Sequence, residues 1–176
     1  MEHLKKRLKY CGKDVIIYPW AKIVNPEVIE IGDYSRIDDF TFINGGEGVK
    51  MGKYVHIAYF SSIAGGGSFS IGDYSAVSSG SRILTSSNIY DEAWAMSAAS
   101  PKPFQRFSTG HIEIGRFAFI GANSVVFPNV KIGEGAVIGA MSLVNKDVEP
   151  WSINIGIPCK KIKDRPKPSY PLPEEY

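Results

Sequence analysis

The chain has 176 residues, enough for one well-buried core and one domain. Twenty Lys and Arg against eighteen Asp and Glu leave a net charge of +2, without the basic excess that a nucleic-acid backbone partner calls for. No apolar run reaches the roughly 18 residues of a membrane helix, and the opening Met1–Leu8, with Lys5, Lys6 and Arg7, is too charged for a signal-peptide core, so a cytoplasmic protein is expected.

Residues 1–14 read as an N-terminal cap. Leu4 and Leu8 stand four apart among charges, the spacing of a short amphipathic helix. Cys11 and Cys159 are the two cysteines; with no paired spacing they indicate packing rather than a disulfide or thiolate metal site.

From residue 15 to 157 an aliphatic residue recurs every sixth position. Ile31, Ile37 and Ile43 are followed by Met51, Ile57 and Ile63, then Ile71, Val77 and Ile83, with two extra residues between successive triplets. A period of six is too short for a helical repeat and fits short strands joined by sharp corners, three to a coil. Coils then pair as parallel strands about 4.8 Å apart while the aliphatic residues stack inside. Gly32, Gly52, Gly72, Gly115, Gly133 and Gly139 each follow an aliphatic residue, where glycine is expected to supply backbone conformations that β-branched residues resist.

Between Ile83 and Ile114 the period disappears and resumes in phase, placing a loop at 85–110. Structureless insertions of that length are usually functional. Trp94, Met96, Phe104 and Phe107 make it too apolar for a free linker, so it is expected to pack on a neighbouring subunit. The cleanest run follows: Ile114, Ile120, Val126, Ile132, Ile138 and Val144, with Ala118, Ser124, Val130, Ala136, Ser142 and Val148 at the fifth place of each hexad. Residues 158–176 form a basic and proline-rich tail: Lys160 to Arg165 is a basic segment, and Pro166, Pro168, Pro171 and Pro173 then argue for an extended end.

The stretch from Ile114-Gly115 through Ile120-Gly121, Ile132-Gly133-Glu134-Gly135 and Ile138-Gly139-Ala140 to Lys146-Asp147-Val148-Glu149-Pro150, followed by Gly156-Ile157-Pro158, resembles the hexapeptide-repeat acyltransferases, close to the sugar and galactoside acetyltransferases. The resemblance covers about 15–165. It implies an all-β fold, a left-handed parallel β-helix with a protruding loop and short terminal caps, and acetyl-CoA as co-substrate. It further implies a homotrimer with active sites between subunits, and acetyl transfer to a hydroxyl or amine of a sugar in building surface polysaccharide precursors. By the same resemblance the pantetheine arm lies near Phe119, Ala122 and Ala140. Asn145-Lys146 stands where many relatives have Thr-Lys, and Lys146, Lys160 and Lys163 are the cations for the CoA phosphates.

The departure concerns the base. Galactoside-type relatives carry a His in a Thr-x-x-His-like turn at the start of the loop, and here that turn reads Thr85-Ser86-Ser87-Asn88. Asn88 cannot take a proton. Of three histidines, His3 lies in the charged start, His111 where the loop rejoins, and His56 at an outward-pointing hexad position, which makes His56 the candidate general base and His111 the second. Asp38, Asp39 and Asp91 are candidates either to orient His56 or, with Asn88, to hold the acceptor. Without a histidine base, the acceptor would be an amine that attacks as its free base. A three-histidine metal site of the γ-carbonic-anhydrase kind lacks ligands, and no metal is expected. A β-helix that has lost its chemistry is the remaining alternative.

Overall fold

The computed structural model describes residues 2–169; Pro171 and Pro173 of the expected tail lie outside them. The chain winds as a triangular solenoid with three parallel faces. The first face stacks Tyr10–Cys11, Ile29–Ile31, Gly48–Met51, Ser68–Ile71, Ile112–Ile114 and Lys131–Ile132. The second begins with Ile16–Ile17, Arg36–Ile37, His56–Ile57 and Ala76–Val77, continues with Phe119–Ile120 and Val137–Ile138, and ends with Ser152–Ile155 and Lys160–Asp164. The third stacks Lys22–Val24, Phe42–Asn44, Ser62–Ala64, Arg82–Leu84, Val125–Val126 and Leu143–Val144.

Every sixth-position aliphatic side chain points inward. Ile37, Ile57, Val77, Ile120 and Ile138 form one fully buried ladder and Ile43, Ile63, Ile83 and Val126 another. The first face carries a further ladder at the fifth place of the hexad, filled there by large residues: Ile29, Val49, Phe69, Ile112 and Val130 are buried beside Ile31, Met51, Ile71, Ile114 and Ile132. The two extra residues per coil lengthen the first-face strands Gly48–Met51 and Ser68–Ile71, so that each points two side chains inward. A buried isoleucine on such a ladder contacts the coils above and below, so Ile120→Ala is expected to destabilise the fold by about 2–5 kcal/mol in chemical denaturation. A loss under about 1 kcal/mol would mean that the ladder collapses around the gap.

The small fifth residues are buried and mostly hydroxylated. Their hydroxyls tie one coil to the next: Ser35 donates to the Gly52 carbonyl at 2.9 Å, Ser75 to Gly115 at 2.8 Å, Ser81 to Gly121 at 2.9 Å and Ser124 to Gly139 at 3.0 Å. Each thereby satisfies a buried polar group that would otherwise be costly.

The glycines after the aliphatic residues are there for a different reason from the one expected. The backbone of Gly32 and its counterparts is not left-handed; a Cβ on Gly32 would stand 2.5 Å from the Gly52 carbonyl oxygen of the next coil. Close approach of successive coils demands glycine at these places. The left-handed positions belong instead to aromatic residues at the first corner, Tyr34, Tyr54, Tyr74 and Phe117, with φ of 59°, 55°, 58° and 58°. Their rings stack coil upon coil at centroid separations of 4.9, 4.9 and 5.2 Å, which offsets the backbone strain.

Both termini pack on the solenoid. Helix is confined to one turn, Glu2–Lys5, which leaves Leu4 and Leu8 packed on the core, and Tyr10–Cys11 already pairs with Glu30–Ile31 as the first strand of the solenoid. At the other end the basic segment Lys160–Asp164 forms an antiparallel strand on Ser152–Ile155 that covers the last edge of the second face. Arg165 clamps it by donating to the carbonyls of Phe117 and Gly135. Cys11 and Cys159 both pack against the core, and burial pushes both thiols up, away from reactive thiolate behaviour.

Candidate active site

The loop leaves the third corner, between the third face and the first face of the next coil. Ser86–Asn88 and Phe107–Thr109 pair as an antiparallel hairpin, and the Gly110 N–H donates to the Thr85 carbonyl at 3.0 Å to close its base. Ile112 then pairs with Phe69, so the solenoid resumes in register. Beyond the hairpin the segment folds on itself. Arg106 lies over the Trp94 ring, 4.2 Å from its centroid, and the Ala95 N–H donates to the Phe104 carbonyl. Tyr90, Met96, Phe104 and Phe107 remain exposed.

At the foot of this hairpin is a cavity of about 480 Å³. Ser87, Asn88, Tyr90 and Asp91 wall one side; Phe127, Pro128 and Asn145, which follow the third-face strands, wall the other. Three residues singled out in the sequence, Asn88, Asp91 and Asn145, are therefore brought together, with Lys146 exposed beside them. Tyr90, Phe127 and Pro128 were not singled out. Their only signal is position, directly after Asn88 and directly after the third-face residue Val126.

His56 is elsewhere. It stands on the outer wall of the second face, between Arg36 and Ala76 in neighbouring coils, and in a triangular prism that face lies opposite the third corner. One chain alone does not join His56 to the loop. Its surroundings are nonetheless organised: the His56 Nε2–H donates to Asp38 Oδ2 at 2.9 Å and the Arg36 Nε–H donates to the other carboxylate oxygen at 2.5 Å. This leaves the His56 Nδ1 side for a further partner. Burial alone would raise the Asp38 carboxyl, but hydrogen bonds from His56 and Arg36 outweigh it and hold the group below the usual carboxylate range.

A depressed carboxyl pKa gives stability that is full above the unfolded value of about 4 and is lost as pH falls through the lowered folded value. Unfolding in urea from pH 6 to pH 3 is therefore expected to show a steeper acid loss for the native protein than for Asp38→Asn; parallel curves would disprove the coupling.

Asp39 does different work from its neighbour. Its carboxylate accepts the Trp20 backbone N–H at 2.8 Å, as Asp33 does for Lys13, Asp73 for Lys53 and Asp147 for Lys131. These aspartates staple coil to coil, and in Asp39 this engages one carboxylate oxygen. Tyr18, Arg36 and Tyr59 line a shallow hollow of about 200 Å³ with the two aspartates.

Phe119, Ala122, Ala140, Lys160 and Lys163 gather on the later half of the second face and its corner, away from Asn145 and Lys146. Phe119 is half-exposed, Ala140 is exposed, and the amines of Lys160 and Lys163 make no ion pair among the described residues. An exposed apolar ring followed by free amines suits an extended thioester donor with a phosphorylated tail. Lys161 is unlike them, held by Glu149 and Asp164, which push its amine up. His111 has both ring nitrogens engaged, by Ser68 at 2.9 Å and Ser70 at 3.0 Å, and is thereby occupied on the first face. His3 lies on the single helical turn. Among the described residues no group of three His, Cys, Asp or Glu side chains is placed to hold a metal ion, and no helix is long and apolar enough to cross a membrane.

The signature of the bacterial transferase hexapeptide (six repeats) matches residues 111–146. A dTDP-4-amino-4,6-dideoxy-D-glucose acyltransferase of Escherichia coli is 38% identical over 90% of this chain and 83% of its own length. The chain belongs to the hexapeptide-repeat acyltransferases, and its solenoid is their left-handed parallel β-helix. Among solved structures, AntD, an N-acyltransferase from Bacillus cereus in complex with dTDP and 3-hydroxybutyryl-CoA, superposes with a TM-score of 0.89 at 37% identity, over 94% of this chain and 88% of AntD. A variant of AntD in complex with dTDP-4-amino-4,6-dideoxyglucose and coenzyme A matches equally well, at 36% identity over 94% and 89%.

Proposed function

We propose that this protein transfers a short acyl group from acyl-CoA to the amino group of a nucleotide-linked amino sugar, with dTDP-4-amino-4,6-dideoxyglucose as the first acceptor to try. The observation that carries this is the near end-to-end likeness to the E. coli enzyme named for that acceptor. Acetyl and 3-hydroxybutyryl are the donors to compare, the second because AntD binds that thioester. Phe119, Ala122 and Ala140 would lie along the pantetheine arm and Lys160 and Lys163 would meet the phosphates, with Asn145 and Lys146, at the third corner, reaching the donor from a neighbouring subunit. Asn88 and Asp91 would hold the acceptor, and His56, oriented by Asp38, would take the proton that nitrogen loses.

This division of labour calls for a homotrimer in which the loop of one subunit reaches the second face of the next. Support comes from the second corner, where Trp20, Phe40, Tyr59 and Phe60 are all more than half exposed on the isolated chain and suit burial against another subunit. The reaction would run in the cytoplasm, where acyl-CoA is available, on precursors of surface polysaccharide.

The test is thiol release from acetyl-CoA and 3-hydroxybutyryl-CoA in the presence of dTDP-4-amino-4,6-dideoxyglucose. Release that depends on the amino sugar is expected. Release with hydroxyl acceptors and none with any amino sugar would overturn the assignment.

A further inference from the structure

The Oδ1 atom of Asn88 is buried and has no hydrogen-bond partner among the described residues. Its orientation is fixed by the other half of the amide, because Nδ2 donates to the Met96 carbonyl at 3.3 Å and a flipped carboxamide would set two oxygens against each other. A buried acceptor left unpaired costs about 1–3 kcal/mol, so the free site is primed for a donor that arrives from outside the chain. The residue lines the cavity at the foot of the loop, together with Asp91 and the hydroxyl-bearing Ser87, Tyr90 and Ser108.

We infer that Asn88 Oδ1 receives one N–H of the acceptor's amine and thereby makes the enzyme an N-acyltransferase that rejects hydroxyls; this rests on the acyl-transfer reading above. A neutral primary amine has two N–H hydrogens and a lone pair. It can donate one hydrogen to Asn88 and still attack the thioester carbonyl: the C–N bond forms, the C–S electrons leave with sulfur, and the second N–H proton is passed on to end on the CoA thiol. A hydroxyl has one hydrogen. Donated to Asn88 it is held by an amide oxygen that cannot take it away, so the oxygen is never activated. The position that carries a histidine in the galactoside-type relatives thus serves here as an anchor, and the same spot that accepts a proton in O-acylation selects against it. The Ser87 and Tyr90 hydroxyls, paired with each other at 2.8 Å, and that of Ser108 match the hydroxyl substituents of a sugar, which favours the acceptor over the pantetheine amides as the source of the N–H.

The test compares the native protein, Asn88→Ala and Asn88→Asp on dTDP-4-amino-4,6-dideoxyglucose and on the matching 4-hydroxy sugar. Asn88→Ala is expected to lower kcat/KM for the amine about 10–100-fold, the range of one buried hydrogen bond, with KM for acyl-CoA within about twofold and the preference for amine over hydroxyl reduced. Asn88→Asp is expected to hold the acceptor as its ammonium ion, so KM for the amine stays or falls, kcat drops, and the pH optimum moves up; a merely structural role would not move the pH profile. A rise in acyl-CoA KM with an unchanged amine preference would assign the oxygen to the donor and overturn the inference. Unchanged kinetics in both variants, with the native protein active on the amine, would overturn it while leaving the proposed function standing. A native protein that acylates only the hydroxyl would overturn both.

Discussion

His56→Ala is expected to lower kcat by about 10²–10⁴-fold, the usual loss when a positioned acid-base group is removed. The expectation rests on geometry that a surface histidine has no need of: one ring nitrogen fixed on Asp38, the carboxylate itself fixed by Arg36, and the second ring nitrogen directed away from both. Binding of acyl-CoA, measured by calorimetry, is expected to stay within about twofold, because His56 is two strands from Phe119 and five from the free lysines on the same face. The loss belongs to kcat rather than KM if the proton leaves nitrogen in the transition state. Full activity in the variant would show that the amine passes its proton to the leaving sulfur or to water unaided. It would then leave Asn88 as the main determinant in the site.

The second large effect concerns the loop. Replacing residues 89–106 by a two-residue Asn-Gly turn leaves the Ser86–Asn88 and Phe107–Thr109 hairpin and the Gly110–Thr85 closure in place. Thermal stability is expected to change little, because none of the excised residues is buried in the core. Acyl transfer is expected to fall at least about 10³-fold, since the acceptor loses Tyr90 and Asp91 and the exposed aromatic residues that would close the groove. Co-refolding the loop-excised chain with His56→Ala chains provides the sharper measurement. If each site takes its loop from one subunit and His56 from the next, random assortment restores about a quarter of the sites from two inactive parents. If both parts act within one chain, the mixture stays inactive, and the subunit arrangement proposed above is wrong.

The solenoid was legible because its core repeats a single physical demand. An aliphatic residue every six positions and a small residue two places before it can be counted, and the structure puts Ile37, Ile57, Val77 and Ile120 on one buried ladder. What counting missed was anything decided between coils. The second ladder of the first face sits at the fifth place with large residues where small ones are the rule, and the demand for glycine at Gly32 comes from the carbonyl of the next coil. The terminal strand Lys160–Asp164 pairs antiparallel, for which the repeat gives no cue. At the site, the sequence picked out Asn88 by the histidine it lacks and His56 by elimination. The pairing of His56 with Asp38 follows from an 18-residue separation that becomes adjacency only when the coils stack. Asp38 and Asp39 are neighbours with opposite duties, one turned to a histidine and one to a backbone amide, and nothing in their local sequence separates them.

The closure of the loop at Thr85 and Gly110 makes the excursion invisible to the rest of the chain: the strand that follows meets Phe69 as though the preceding coil had never been interrupted. Doubling such an insertion adds only about 0.6 kcal/mol of closure entropy. The corner therefore works as a socket, in which segments of different length and chemistry can be exchanged while the scaffold keeps its stability. Choice of acceptor and durability of the fold can then change independently of each other.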